Sequence, residues 1–250
     1  MTALPLRNRV AIVTGATRGI GRAVGERFAS AGATVVGVYA RSGEIAARLQ
    51  AEMAERSQPG GYYQGAVDDP LFVGDLMKRV MAAYGRIDIL VNNAGVTRDQ
   101  LALRMSVEEW DDVLRTNLQG TLLCAAEAIP YMKLQGGGSV INVVSVSGLY
   151  GREAQANYSA AKGAVVGLTK LLARLHAEEG IRVNAVAPGM IATEMTERIP
   201  AGKMDNFLHH THLKRQGTAQ EIAEGILGLA SGASGYLSGQ VLKLDGGFLR

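Results

Sequence analysis

Tyr158 and Lys162 have the residue types and the spacing to carry out proton transfer. On a helix, an i, i+4 spacing places two side chains on one face, one turn apart. A phenol with a pKa of ~10 is a poor acid at neutral pH, but a nearby ammonium favours the phenolate and lowers that pKa. The pair could therefore make a tyrosine that exchanges a proton near neutrality. Ordinary surface residues share this spacing, so its meaning depends on the rest of the chain.

Composition limits the classes of protein that fit. The chain has 250 residues, of which 47% are hydrophobic, enough for a large core. Its single cysteine, Cys124, excludes an internal disulfide framework and a multi-cysteine zinc site, and its apolar neighbours predict a core position. The net charge is +3, no long basic block occurs and only 5% of residues are aromatic, which argues against nucleic-acid binding. We expect no metal site.

The N-terminus lacks a charged segment followed by an apolar run, so it does not resemble a signal peptide. No apolar stretch reaches membrane-spanning length. We therefore expect a soluble, cytoplasmic protein.

Short apolar, β-branched runs alternate with helical patterns along the whole chain. The predicted strands are 9–14, 34–38, 62–67, 87–91, 139–144, 181–186 and 240–244. The predicted helices are 22–31, 44–56, 70–84, 107–134, 157–179 and 219–230, and 190–217 is irregular. This alternation predicts an α/β fold with a single domain over 1–250, built on a doubly wound parallel sheet of about seven strands. Ligands of such sheets bind outside the carboxyl ends of the strands.

The turn after the first predicted strand is rich in glycine. Gly15, Gly19 and Gly21 permit a tight turn and close approach of a pyrophosphate to the following helix N-terminus. A glycine-rich connector without a ligand is the alternative. After the second strand, where sites specific for NAD carry an acid, the chain has none. Arg41, or Arg18 in the glycine turn, could instead contact a 2′-phosphate, although both arginines could simply be solvent-exposed.

Three more strand-end or helix positions carry polar side chains. Asn92-Asn93-Ala94-Gly95 follows the fourth strand, where small residues admit a flat cofactor and the amides could equally tie strands together. Asn117 lies in an apolar helix, either as a satisfied core group or as an anchor for a water. Ser145 follows the fifth strand. A Ser/His/Asp triad fits poorly, because no histidine lies at a strand end and no nucleophile-elbow spacing surrounds Ser145, so we expect it to donate a hydrogen bond to a substrate oxygen.

Taken together, these features resemble the short-chain dehydrogenase/reductase family over essentially the whole chain. The resemblance also rests on Pro188-Gly189 and on Asp245-Gly246-Gly247 near the end. It implies a Rossmann fold, NADPH and a homotetramer. It assigns Tyr158 as the acid, Ser145 as the donor that orients the carbonyl, Lys162 as the residue that binds the nicotinamide ribose and lowers the tyrosine pKa, and Asn117 as the holder of a relay water. The expected cofactor contacts are Gly15, Thr17, Arg18, Gly19, Ile20, Gly21, Arg41, Val67, Asn93, Ala94, Gly95, Tyr158, Lys162, Pro188, Gly189, Ile191 and Thr193.

The segments 96–105, 109–111, 116–118 and 192–196 resemble the 3-oxoacyl-[acyl-carrier-protein] reductase branch of that family. This likeness implies NADPH-dependent reduction of a 3-oxoacyl group on an acyl carrier protein, with 190–217 as a substrate lid. The alternatives are an NADP-dependent dehydrogenase acting on a free ketone, sugar or steroid, and a non-catalytic nucleotide-binding regulator. A complete set of proton-relay residues argues against the regulator.

Several positions depart from the pattern of the branch. Ala66 stands where an aspartate usually lies near the adenine, and His212 and Gln216 replace a proline and an apolar residue. The stretch after Lys133 is poor in basic residues, and Glu178-Glu179 stand where a basic residue is often found. Those last two places commonly form the docking face for the acidic carrier. Either the exposed surface has drifted, or the carrier differs, as in a type II polyketide pathway.

Overall fold

The central sheet has seven parallel strands, and its order places β1 and β4 side by side at the centre. In the computed structural model, which describes residues 4–194, 196–197 and 199–249, the strand order is β3-β2-β1-β4-β5-β6-β9. The strands of this sheet are β1 Val10–Thr14, β2 Thr34–Tyr39, β3 Gly60–Gln64, β4 Ile89–Asn92, β5 Gly138–Val143, β6 Ile181–Pro188 and β9 Val241–Leu244. The predicted α/β class and strand number are confirmed. The order reverses between β1 and β4, and ligands of doubly wound sheets bind at such a switch point.

Helices cover both faces of the sheet. They are α1 Gly19–Ser30, α2 Gly43–Glu55, α3 Pro70–Tyr84, α4 Val107–Leu114, α5 Gly120–Leu134, α6 Val146–Tyr150, α7 Ala156–Leu175, α8 Ala201–His209 and α9 Ala219–Ala230. Alternate β1 residues enter two different cores: Ala11 and Val13 pack with α1 and α9, while Val10 and Ile12 pack with α3, α5 and α7. A strand buried on both faces must be apolar at every position, which explains the unbroken apolar run of β1. Cys124 lies in the second core, as predicted.

A buried carboxylate fixes the N-terminal edge of the sheet. Asp88, just before β4, accepts hydrogen bonds from Arg9, Arg86 and the Val10 amide. Burial alone would raise the pKa of this carboxyl, but those three hydrogen bonds lower it below its usual value. The starts of β1 and β4 are therefore tied together at the edge opposite the predicted ligand site.

The predicted elements differ most from the structure in four places, besides smaller shifts at other ends and the unpredicted α6. Strand β3 begins at Gly60, because Gly60 and Gly61 pair with β2, so Val67 lies beyond the strand end. The long helix predicted over 107–134 contains a π-helical segment, Arg115–Gln119. Helix α7 ends at Leu175 and not at 179. The irregular 190–217 segment contains α8 and two short paired strands, β7 Ile191–Ala192 and β8 Gly217–Thr218. Met195 and Arg198 of that segment lie outside the described residues.

Within 4–194, 196–197 and 199–249, none of the helices has the length and apolar character needed to cross a membrane.

Candidate active site

The glycine turn between β1 and α1 is folded too tightly for side chains. Gly15 has φ +66°, in the left-handed region that favours glycine. A Cβ on Gly21 would lie 2.2 Å from the Gly15 carbonyl oxygen and 2.4 Å from Asn93 Nδ2. The residue before α1, Arg18, makes no side-chain bond to the first helical amides. The turn therefore brings a helix N-terminus and exposed backbone close to the switch point, the arrangement that binds phosphate in dinucleotide sites.

Hydrogen bonds lock the end of β4 to the end of β1. Thr14 Oγ1 accepts from the amides of Asn93 and Ala94, each at 2.9 Å. Asn93 Nδ2 donates to the Thr14 carbonyl oxygen at 2.8 Å. Asn92 Nδ2 donates to Asn142 Oδ1 on β5 at 2.9 Å. The two asparagines thus tie neighbouring strands together, which was one of their two predicted roles.

The turns after β1 and β2 are also adjacent, because the Ala16 amide donates to the Val38 carbonyl oxygen at 3.1 Å. Arg41, just beyond β2, is exposed. Arg18 Nη1 lies 3.7 Å from Glu194 Oε2, with both side chains more than half exposed. The Thr193 methyl group lies 3.5 Å from the position of a Cβ on Gly19, so the segment after β7 rests on the glycine turn. Arg18 in the glycine turn and Arg41 beyond the adjacent strand are therefore both exposed to solvent at this edge of the sheet.

The remaining predicted cofactor residues surround the same edge. Thr17, Val67 and Ile191 are buried, and Ile20 packs against the first core. Pro188 ends β6, and Gly189 lies so close to Asp245 that a Cβ would be 2.7 Å from its Cα. These residues lie at the carboxyl ends of the strands, around the expected cofactor site.

Ser145, Tyr158 and Lys162 come together beyond the end of β5. Ser145 hydrogen-bonds the Tyr158 phenol, and its Oγ accepts from the Ser147 amide at 3.1 Å. Lys162 is 3% exposed, its Nζ donates to the Val143 carbonyl oxygen at 2.7 Å, and it lies 5.7 Å from the centre of the Tyr158 ring. Gly95 packs beside this lysine, since a Cβ at Gly95 would lie 3.6 Å from Lys162 Nζ.

The prediction of a net lowering of the tyrosine pKa is wrong for this structure, because burial outweighs the charges and hydrogen bonds around the phenol. Burial raises the pKa of Tyr158 to about 12, and the hydrogen bond from Ser145 opposes that rise only in part. Burial lowers the pKa of Lys162 to about 8. Burial is the largest cause of both shifts, because desolvation penalises the charged form of each group. The Tyr158 phenol is therefore protonated at neutral pH.

Asn117 lies in the π-helical segment and is fully buried. Its Oδ1 accepts from the Val96 amide at 2.8 Å, and its Nδ2 donates to the Val96 carbonyl oxygen at 3.0 Å. Of the two predicted roles, the geometry favours a satisfied core group that holds the 95–96 loop beside Lys162. The backbone carbonyl of Asn117 accepts from Thr121 Oγ1, and the relay water stays a prediction.

Sequence reasoning missed three polar residues that frame this site. Gln155 and Asn157, both buried, lie just before Tyr158 and bond the loop after β4. Asp99, in that loop, raises the pKa of Tyr158 through its charge. In the sequence, the feature that could have indicated these residues is the pair of amide side chains, Gln155 and Asn157, at the start of a largely apolar helix.

The two segments that depart from the family pattern at the expected carrier-docking face contact each other through Lys133 and Glu179. Glu179 accepts hydrogen bonds from Lys133 Nζ and from His176 Nδ1, the latter at 2.6 Å. The Lys133 bond, followed by the His176 bond, lowers the pKa of the Glu179 carboxyl below its usual value. The positive charge of Lys133 is thereby neutralised by the carboxylate of Glu179.

A cavity of about 440 Å³ lies between α8 and the end of β9. Its apolar lining includes Met190, Phe207, Leu213 and Leu244. Tyr158 and Ser145 do not line it, so the cavity adjoins the segment after β6 and not the cluster of Ser145, Tyr158 and Lys162.

Comparison with known proteins assigns the chain to a family. The sequence model of the short chain dehydrogenases matches residues 9–203. A 3-oxoacyl-[acyl-carrier-protein] reductase of Thermotoga maritima is 42% identical over 98% of this chain and 99% of its own. Proteins of the same name from Synechocystis (43% identical, 100% and 99% covered) and Staphylococcus epidermidis (41% identical, 96% and 98% covered) are similar to it as well. The chain therefore belongs to the short-chain dehydrogenase family of nicotinamide-dependent oxidoreductases.

Proposed function

We propose that the chain is an NADPH-dependent 3-oxoacyl-[acyl-carrier-protein] reductase. The observation that carries this proposal is the convergence of Ser145, Tyr158 and Lys162 beside a glycine turn suited to a pyrophosphate. Relatives bearing that name cover nearly the full length of the chain.

The residues present fit a dinucleotide. The glycine turn packs so closely against Asn93 at the switch point that a Cβ at Gly21 would clash, and a close approach of backbone of this kind is what a pyrophosphate site requires. Lys162 would hold the nicotinamide ribose. The remaining contacts would be Thr17, Ile20, Val67, Pro188, Gly189, Ile191 and Thr193. When bound, the nicotinamide supplies a hydride to the carbonyl carbon.

The protein's own part in the reaction is to bind the substrate oxygen and to protonate it. Ser145 and Tyr158 would donate hydrogen bonds to the carbonyl oxygen, where negative charge develops. Tyr158 would then give that oxygen its proton. A phenol with a pKa of about 12 is protonated at neutral pH, and its proton would move only as negative charge develops on the substrate oxygen. The Lys162 cation would stabilise the phenolate that remains.

Preference for NADPH over NADH would rest on Arg18 and Arg41. Both are exposed at the rim of the turn, and no acid follows β2 to receive a ribose hydroxyl. We expect Arg41→Ala to raise the KM for NADPH by about tenfold or more, because a hydrogen bond to a charged group is lost. The KM for NADH should change little. Equal effects on the two cofactors would remove the proposed 2′-phosphate contact.

The substrate class can be tested by following NADPH absorbance. The test compares 3-oxoacyl chains on an acyl carrier protein, the same chains on N-acetylcysteamine, and free ketones, sugars and steroids. We expect turnover with both thioesters and essentially none with the free carbonyl compounds. Turnover of a free ketone alone would favour the alternative dehydrogenase, and absence of turnover with every substrate would favour a nucleotide-binding regulator.

We also propose a homotetramer. Leu122 on α5 and Leu171 and Leu175 on α7 are each at least 44% exposed, on two helices that lie on the same side of the sheet. Large apolar side chains exposed together mark association surfaces. Light scattering at micromolar concentration should give four chains per particle, and a monomer would contradict the proposal.

A further inference from the structure

Gln155 links the loop after β4 to the helix that follows Ser145. The geometry points to Gln155 as a positioning residue for carbonyl reduction, acting through Ser147 to hold the Ser145 hydroxyl in its donating orientation. This inference rests on the proposed function, because it gives a role to a side chain that need not touch substrate or cofactor.

The contacts of Gln155 are complete and specific. The residue is 6% exposed and immediately precedes α7. Its Oε1 accepts from Ser147 Oγ at 3.1 Å, and its Nε2 donates to both oxygens of Asp99, at 3.0 and 3.1 Å. A glutamine side chain that accepts at one end and donates at the other has a fixed amide orientation. Gln155 therefore connects Ser147 to Asp99 through hydrogen bonds at the two ends of its amide.

Ser147 transmits this constraint to Ser145. Its backbone amide donates to Ser145 Oγ at 3.1 Å, and its own side chain is 6% exposed. A hydroxyl that already accepts a hydrogen bond directs its own proton elsewhere. For Ser145 the remaining direction is the Tyr158 phenol, where a substrate oxygen would also lie. Loss of the Gln155–Ser147 bond would free α6 to shift and would misdirect that proton.

The backbone beside Gln155 is also held in an unusual conformation. Ala154 has φ +60°, in the left-handed region that an alanine rarely adopts. Its carbonyl oxygen accepts from the Gln100 amide at 2.8 Å, and Gln100 and Gln155 form a short parallel bridge. The surrounding contacts must over-determine such a conformation, and strained positions of this kind cluster at functional sites.

A second glutamine provides a matched control. Gln135 also has both ends bonded, since its Oε1 accepts from the Ile87 amide at 3.2 Å and its Nε2 donates to the Ile87 carbonyl oxygen at 2.6 Å. It lies at the N-terminal edge of the sheet, near Asp88 and away from Tyr158. Gln135 itself is exposed, but its two bonds to Ile87 are partly buried, so replacing it removes side-chain amide bonds at a distance from the site.

The first experiment compares Gln155→Met, Ser147→Ala and Gln135→Met with the wild-type enzyme in NADPH consumption with a 3-oxoacyl N-acetylcysteamine thioester. We expect Gln155→Met to lower kcat by about ten- to hundredfold, because misplacement of a reacting group carries a penalty of that order. The KM for NADPH should stay within about twofold of the wild-type value, because the substitution leaves the residues expected to bind the cofactor unchanged. Ser147→Ala should lower kcat by a similar factor, and the double variant should be no worse than Gln155→Met. Gln135→Met should lower the melting temperature but keep the wild-type kcat.

A second variant gives a signature that a purely structural role would not produce. In Gln155→Glu, an ionised carboxyl cannot donate to Asp99 and would repel it, whereas a protonated carboxyl restores both bonds. The charged groups that the structure describes around this point are Asp99 in the opposing loop and Arg152 and Glu153 in the preceding turn. We expect kcat relative to wild type to rise about tenfold between about pH 8.5 and about pH 6, as the paired carboxyls share a proton.

The outcomes separate this inference from the proposed function. No NADPH consumption by the wild-type enzyme would overturn the proposed function, and the inference with it. An active wild-type enzyme with unchanged kcat in Gln155→Met and Ser147→Ala would overturn the positioning role alone. A flat pH ratio for Gln155→Glu, or a kcat loss in Gln135→Met equal to that in Gln155→Met, would also overturn it.

Discussion

The two ends of helix α7 use charge in opposite ways. At the start, Lys162 is buried and its Nζ bonds a backbone carbonyl oxygen, so desolvation shifts its pKa and that of Tyr158. Just beyond the end, the partly exposed Glu179 forms an ion pair with the exposed Lys133 and a hydrogen bond with His176, and solvent screens these charges. A large pKa shift at the start of the helix thus requires burial away from water. Charged side chains that remain in contact with water form pairs that contribute little to stability.

The largest expected effect comes from removing the phenol at the buried end. Tyr158→Phe keeps the ring but deletes the proton that would go to the substrate oxygen, so kcat should fall by about 10³-fold or more. Steady-state NADPH consumption measures the loss, and fluorescence titration should show NADPH affinity within about twofold of wild type. Retention of wild-type turnover would show that the buried end performs no acid catalysis.

The sequence predicted the fold and the gathering of the site because both depend on patterns it displays directly. Apolar runs alternating with helical periodicity determine a doubly wound sheet, and polar residues after strands then meet at one edge. Ser145, Tyr158 and Lys162 meet there, as their positions after β5 and on one helical face require.

What the sequence could not give was the partner of each polar atom. The i, i+4 spacing predicted a direct interaction between Lys162 and the Tyr158 phenol. In the structure, Lys162 Nζ instead donates to the carbonyl oxygen of Val143 at the end of β5. The role of Gln155 depends on Ser147 and Asp99, whose proximity is a result of tertiary folding. The end of α7 was misplaced because Glu178 and Glu179 are good helix formers, whereas the chain turns at His176 and Gly180 to enter β6.

A smaller effect is expected from replacing the buried cation. In Lys162→Met the charge that stabilises the phenolate is lost, so kcat should fall by about 10²-fold. Stability should change in the other direction. The lysine pKa is 10.5 when unfolded and about 8 when folded, so between these values the unfolded chain binds more protons and wild-type stability rises with pH.

Below pH 8, the wild-type protein therefore bears the full penalty of the buried cation, which Lys162→Met relieves. Thermal unfolding at about pH 7 should show a higher midpoint for the variant, and the gain should shrink toward about pH 10. A variant that is less stable than wild type at both pH values would contradict the desolvation argument.

The smallest effect is expected at the exposed end. Glu179→Gln would free Lys133 from its carboxylate partner, and an acidic carrier protein should then associate faster. We expect kcat/KM for a 3-oxoacyl carrier protein to rise by about two- to fivefold at low salt, and the gain to vanish at high salt. The N-acetylcysteamine thioester, which lacks the protein, should show no change.

Glu178→Gln is the matched control, because Glu178 is exposed and forms no salt bridge within the described part of the chain. Equal gains in the two variants would indicate a general change of surface charge. A loss of carrier activity in Glu179→Gln would show that this chain uses the carboxylate itself to recognise its carrier.

The most direct test of the central claim is the fate of the transferred hydrogen. The enzyme is incubated with NADPH deuterated at the transferred position and with a 3-oxoacyl carrier protein, and the acyl chain is analysed by mass spectrometry. We predict a 3-hydroxyacyl product with one deuterium on the former carbonyl carbon, and no such product from Tyr158→Phe over the same time. An unreduced 3-oxoacyl chain in the wild-type reaction, with NADPH bound, would contradict it.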